Sequence, residues 1–133
     1  MLEVEVLGAA SPDSRTASPA DVRRLCRAVA SAVGVRDGHV AIEFVDAARI
    51  AELNRLHRAK HEPTDVLSFP IDGVEPIEAA PRELGDVVIC PEHTVDLHEA
   101  VVHGMLHLLG MDHETDHGEM LALQRQLLAL DRS

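Results

Sequence analysis

The chain has 133 residues, about one domain at ~150 residues per domain, and is 46% hydrophobic and 26% charged. That composition supports a packed core without disulfide staples and excludes a disordered tail as the bulk of the chain. The net charge of −11 and an aromatic set of only Phe44 and Phe69 argue against a non-specific nucleic-acid binder and a base-stacking platform, so any nucleic-acid role needs a local basic patch.

Leu2, Val4 and Val6 alternate with Glu3 and Glu5, which predicts a first strand. Gly8 to Ala17 reads as a loop. Ser18 caps a helix with Pro19 at its first position and Asp21 in the capping-box place, Val22, Leu25, Val29 and Val33 form its apolar face, and Gly34 stops it. His39 to Val45 is a second strand. Asp46 caps a second helix with Ile50, Leu53 and Leu56 on one face. Val66 to Phe69 is a short strand closed by Pro70, Ile71 to Pro81 is an exposed loop, and Leu84 to Cys90 is a strand apolar enough at its end to be buried on both faces. Pro91 opens a helix running to Leu109, with Gly110 as its stop. Asp116 and Glu119 form a capping-box pair for a last helix with Met120, Leu123, Leu127 and Leu130 inward. The whole of 1–133 is expected to be a single α+β domain, with a small mixed four-stranded sheet covered by helices.

Cys26 and Cys90 cannot build a disulfide framework and suit a reducing compartment as small buried side chains. The start of the chain lacks the basic and apolar regions of a signal peptide, and no apolar run approaches ~18 residues, so cytoplasm is the default and no membrane association is expected.

Nine histidines are the compositional outlier, and six of them lie between His93 and His117. His103 and His107 are four apart, which puts both rings on one helix face, one turn above the other. Gly110 allows a sharp exit from the helix, so His113 can add a third nitrogen from another direction. Three neutral imidazoles with an open position is the pattern of a catalytic zinc site. On a helical projection the apolar residues leave His103 and His107 as the only polar stripe, beside small Ala100 and Gly104. His93, His98 and His117 lack this context and are expected on the solvated surface, with His117 a candidate neighbour of the site. The spacing also fits the metzincin protease pattern H-E-x-x-H-x-x-G-x-x-H except that Gly104 stands where the general-base glutamate belongs.

His103 to His113 resembles the H-G-x-L-H-L-x-G-Y-D-H signature of the YbeY family. Thr64 to Pro70 resembles its T-[DN]-V-L-S-F-P segment, Leu84 to Ile89 its L-G-D-[IL]-x-I strand, and Leu53 to Arg58 its L-N-x-x-[YF]-R helix end. The four motifs run in the family's order from about Leu53 to Asp116. The resemblance implies a metal-dependent, single-strand-specific endoribonuclease of ribosomal RNA processing, including maturation of the small-subunit (16S) RNA 3′ end, and of ribosome quality control. It implies one Zn2+ ion on His103, His107 and His113, with the metal-binding helix beside a cleft, and an Arg58 that lines the cleft and is needed for activity. Met111 and His57 stand where the family usually has aromatic residues, and the connection from Cys90 to His103 is shorter than usual.

On this reading Arg58 neutralises charge on the scissile phosphate, and Arg55 and Lys60 guide the RNA backbone from the one dense basic run before the histidines. Asp112 is an outer partner of a ligand or a turn former, Asp86 a buried partner or an edge residue, and Ser68 and Thr64 touch substrate or serve the strand and turn. The acidic total predicts salt-sensitive RNA binding and help from a partner such as a ribosomal protein or an assembly GTPase. The competing readings are a metalloprotease, against which Gly104 speaks, and a non-catalytic metal- or ribosome-binding module.

Overall fold

The computed structural model describes residues 2–8, 18–58, 66–70, 83–111 and 116–131. Its elements run β1 (Leu2–Leu7), α1 (Pro19–Ala32), β2 (Gly38–Phe44), α2 (Ala47–Arg58), β3 (Val66–Pro70), β4 (Glu83–Ile89), α3 (Leu97–Leu108) and α4 (Glu119–Asp131). The strands form one sheet in the order β1-β2-β4-β3. β1 and β4 flank β2 in parallel, and β3 runs antiparallel on the outer side of β4. A parallel pair cannot be closed by a hairpin, so α1 makes the crossover between β1 and β2. The architecture is the small mixed sheet with helices expected for an α+β chain.

The period-two alternation of the strands divides the buried residues into two clusters. Leu2, Val4, Val40, Ile42, Leu84, Val87 and Ile89 pack with Val22, Leu25 and Val29 of α1, with Val101, Val102, Met105 and Leu106 of α3, and with Met120 and Leu128 of α4. On the opposite face, among the described residues, Leu67, Val88 and Cys90 pack with Ile50, and Val45, Ala47, Leu53 and Phe69 lean against them. Val88 and Cys90 thus point away from Val87 and Ile89, and the end of β4 is buried on both faces as its apolar run predicts.

The first helix forms as expected. Ser18 Oγ accepts from the Asp21 amide at 3.1 Å, and Pro19 occupies the first turn. Asp46 Oδ1 accepts from the Arg49 amide at 2.8 Å and caps α2.

Three expectations are corrected. Leu56 is exposed: among the described residues α2 packs on the small cluster of Leu67, Val88 and Cys90 through Ile50 and Leu53, and Leu56 lies off that face. Pro91 does not open the long helix. It starts a single 3-10 turn, Pro91–His93, after which Thr94 Oγ1 donates to Cys90 O at 2.7 Å, and α3 begins behind Asp96, whose side chain accepts from the Glu99 amide at 3.2 Å. In α4 the buried stripe is Met120, Gln124 and Leu128, with Leu123 and Leu127 on its flanks and Leu130 exposed. The expected loops at Gly8–Ala17 and Ile71–Pro81 fall almost wholly outside the described residues. No helix of the described residues is long and apolar enough to cross a membrane.

Candidate metal centre

α3 is the most deeply packed helix of the fold. Val101, Val102, Met105 and Leu106 are fully buried, and Ala100, Gly104 and Leu108 nearly so. Its contact with the sheet is closest at Gly104. A Cβ there would overlap Val87 Cγ1 and approach Val66 Cγ2 to 2.9 Å. Ser68 Oγ of β3 donates to the Gly104 carbonyl at 2.8 Å, which assigns Ser68 a structural bond. The same crowding decides against the protease reading: a glutamate at position 104 has no room on this helix.

His103 and His107 are the half-buried stripe on this apolar rod. Their ring centroids lie 4.7 Å apart with the planes at 75°, so the two imidazoles stand edge to face on one side of the helix. His103 Nδ1 is 2.8 Å from Gln124 Oε1 of α4. An amide oxygen only accepts, so in this arrangement Nδ1 is the donor, and in a neutral ring Nε2 would keep the lone pair. Gln124 went unpredicted. The signal for it was available: Met120, Gln124 and Leu128 are four apart, and a ligand imidazole needs an acceptor for its second nitrogen.

The helix ends as the glycine predicts. Gly110 has φ +101°, its amide donates to His107 O at 3.0 Å, and the Met111 amide donates to Leu106 O at 3.0 Å. These are the paired bonds of a Schellman cap, which turns the chain back after the second histidine. Met111 packs against the main core.

His113, Lys60, Thr64 and Asp112 lie outside the described residues, and of Arg58 only its place as the last residue of α2 is described. Among the described residues no three His, Cys, Asp or Glu gather as a metal site. The two described histidines fit the chemistry of a zinc site: imidazole nitrogens one turn apart on a buried helix, one ring bonded through Nδ1 to a buried amide. Arg55 is exposed on α2. Because α2 packs on the Leu67 side of β3 and α3 on the Ser68 side, the outermost strand of the sheet separates the helix bearing the arginines from the helix bearing the histidines. A cavity of about 240 Å3 lies elsewhere, between α1, α3 and α4, lined by Arg24, Leu25, Val102 and Leu127 among others, and the histidines do not line it.

The remaining candidates sort by contact. His93 and His117 are exposed, as expected. His98 is a correction: its Nδ1 is 3.0 Å from Asp131 Oδ2, and Arg24 reaches the same carboxylate at 2.6 Å, so the histidine belongs to a polar clasp between α1, α3 and α4. Burial works against the Asp131 charge, but the bonds from Arg24 and His98 hold its carboxyl below the usual range. Asp86 stands on β4 facing away from α3, and its pKa is raised by burial and by Glu83 beside it. Burial pushes the Cys26 thiol up to about 12 and raises Cys90 too, so neither is a nucleophile.

Against this geometry the comparisons with known proteins are specific. The sequence matches the profile of the Endoribonuclease YbeY family over residues 12–100. The match stops short of His103, so it is carried by residues other than the histidine triplet. The chain belongs to the YbeY family of endoribonucleases. Among its relatives, Endoribonuclease YbeY of Rubrobacter xylanophilus is 38% identical over 94% of this chain and 93% of its own length. The Bacillus cytotoxicus protein of the same name is 39% identical over 80% of this chain and 82% of its own, and that of Nocardioides sp. 38% identical over 86% and 92%. The solution structure of TM1509 from Thermotoga maritima superposes with a TM-score of 0.58 at 24% identity, covering 96% of this chain and 88% of that one, which fixes the shared fold.

Proposed function

We propose that this family member is a zinc-dependent, single-strand-specific endoribonuclease of the cytoplasm that acts on ribosomal RNA, in maturation of the 3′ end of the small-subunit (16S) RNA and in ribosome quality control. The observation that carries the metal part is the His103–His107 pair on one side of a helix packed closely on the sheet at Gly104, with His103 Nδ1 bonded to Gln124. His103, His107 and His113 would hold one Zn2+ ion, which when bound supplies Lewis-acid polarisation of a phosphate oxygen or of water.

The chain's own residues do the rest. Arg58, at the end of α2, offers a planar guanidinium that matches two phosphate oxygens and neutralises the charge that builds as the ester bond breaks. Arg55 and Lys60 extend the same basic run and steer the RNA backbone. The net charge of −11 leaves little general attraction for RNA, so delivery by a ribosomal protein or an assembly GTPase complements the isolated domain.

Cleavage of a single-stranded RNA by purified protein tests this. The expected result is a loss of roughly 100-fold or more on chelation and on His107→Ala, since removing a ligand outweighs the 10–100-fold typical of removing a ligand's outer partner. RNA cleavage that survives both treatments would end the metal reading. Arg58→Ala is expected to lower turnover while zinc affinity stays at the wild-type level.

A further inference from the structure

We infer that Gln124 is a positioning residue for the metal centre: its amide oxygen holds His103 as the Nδ1–H tautomer and so keeps Nε2 presented as the donor. The inference rests on the zinc reading above and adds to it a residue from α4.

Gln124 is 8% exposed and sits in the buried stripe between Met120 and Leu128, where an apolar side chain would pack without loss. Placing an amide there carries a desolvation cost of roughly 1–3 kcal/mol unless its polar atoms are matched. The match on Oε1 is His103 Nδ1 at 2.8 Å, 21 residues away in sequence and on a different helix. A bond that served only to tether α4 to α3 would be satisfied equally by the other arrangement, with the amide nitrogen donating to an unprotonated Nδ1. That arrangement moves the ring proton to Nε2 and removes the donor. Gln is two-faced in this respect, whereas an ionised Glu only accepts and Met of similar length offers no donor and at most a weak sulfur acceptor. The three side chains therefore separate positioning from tethering at nearly constant volume.

The experiment uses the full chain with zinc alone as the probe. Zinc affinity is measured by competition with a chelator for wild type, Gln124→Met and Gln124→Glu, and the His103 tautomer is read from ring nitrogen shifts of the metal-free proteins above about pH 8, where a free imidazole is neutral. Expected are a single Nδ1–H tautomer at His103 in wild type and Gln124→Glu, a mixture in Gln124→Met, and zinc affinity about 10–100-fold weaker in Gln124→Met alone. Circular dichroism confirms that Gln124→Met keeps its helices. If Gln124→Met binds zinc as wild type does, or if wild-type His103 carries its proton on Nε2, the inference is overturned while the metal reading stands. If wild-type protein with the Nδ1–H tautomer binds no zinc, the metal reading itself fails and the positioning role goes with it.

Discussion

The two faces of the sheet differ in how much they are asked to hold. On one, α1, α3 and α4 bury Leu2, Val4, Val40, Ile42, Leu84, Val87 and Ile89 in a single continuous core. On the other, among the described residues, Ile50 of α2 covers Leu67, Val88 and Cys90, and the strip beside it carries Glu3, Glu5, His39, Glu83 and Asp86. The histidine pair stands on the first. A metal centre needs donors that do not wander, and close packing on the large core, down to the missing Cβ at Gly104, supplies that stiffness. The second face carries more charge, and among the described residues its apolar cluster is much the smaller of the two.

The comparison breaks most easily at Gly104. Gly104→Glu is expected to leave no folded protein, since the new side chain would meet the Val87 and Val66 methyl groups of the sheet at its very first carbon. Gly104→Ala is expected to cost about 1–3 kcal/mol by overpacking, read as a lowered unfolding midpoint in urea. An alanine variant as stable as wild type would mean that the helix can lift off the sheet, and the argument for a rigid platform would be lost. A like-for-like pair sharpens the same contrast. Leu106 and Leu67 are both buried leucines, one in each cluster. Within the roughly 2–5 kcal/mol span of buried Leu→Ala changes, Leu106→Ala should fall near the top, because its surroundings cannot collapse, and Leu67→Ala near the bottom. Equal costs would show that the two cores are equally unyielding.

The layout of the large core was legible in the residues. Alternation marked β1, the continuous run Val87 to Cys90 marked a strand buried on both sides, and the histidine stripe of α3 stood out because everything around it is apolar. What was not legible depended on contacts across the chain. Pro91 suits the first turn of any helix, and only the Thr94 bond to Cys90 O shows that the turn closes before α3 begins. α4 is leucine-rich on every side, so its inward face could not be chosen by hydropathy, and it is a glutamine that turns in because His103 waits there. His98 read as a surface residue because its partner Asp131 lies 33 residues on.

The smallest effect belongs to the polar strip, and its sign is fixed. His39 Nδ1 lies 2.8 and 2.9 Å from the two carboxylate oxygens of Glu83, and that bond raises the His39 pKa; burial opposes it, and the charges of Glu83, Glu5 and Glu3 add smaller upward pushes. A histidine whose folded pKa exceeds the unfolded value near 6.5 contributes stability that is complete below that value and disappears as pH rises through the folded pKa. Asp86, raised chiefly by burial and then by Glu83, acts in the same direction, since its ionisation is disfavoured in the folded chain. His39 makes the strip more stable as pH falls through the histidine range, and Asp86 adds to this only further down, in the carboxylate range. The His39–Glu83 pair is partly exposed, so solvent screening keeps its share to about 0.5 kcal/mol or less. The measurement is the difference in unfolding free energy between wild type and His39→Gln across pH 5.5 to 8.5, roughly the span over which histidine titrates. The difference should shrink toward zero at the alkaline end; one that grew there would mean that the pair favours the neutral ring and that the strip, like the opposite face, is governed by packing.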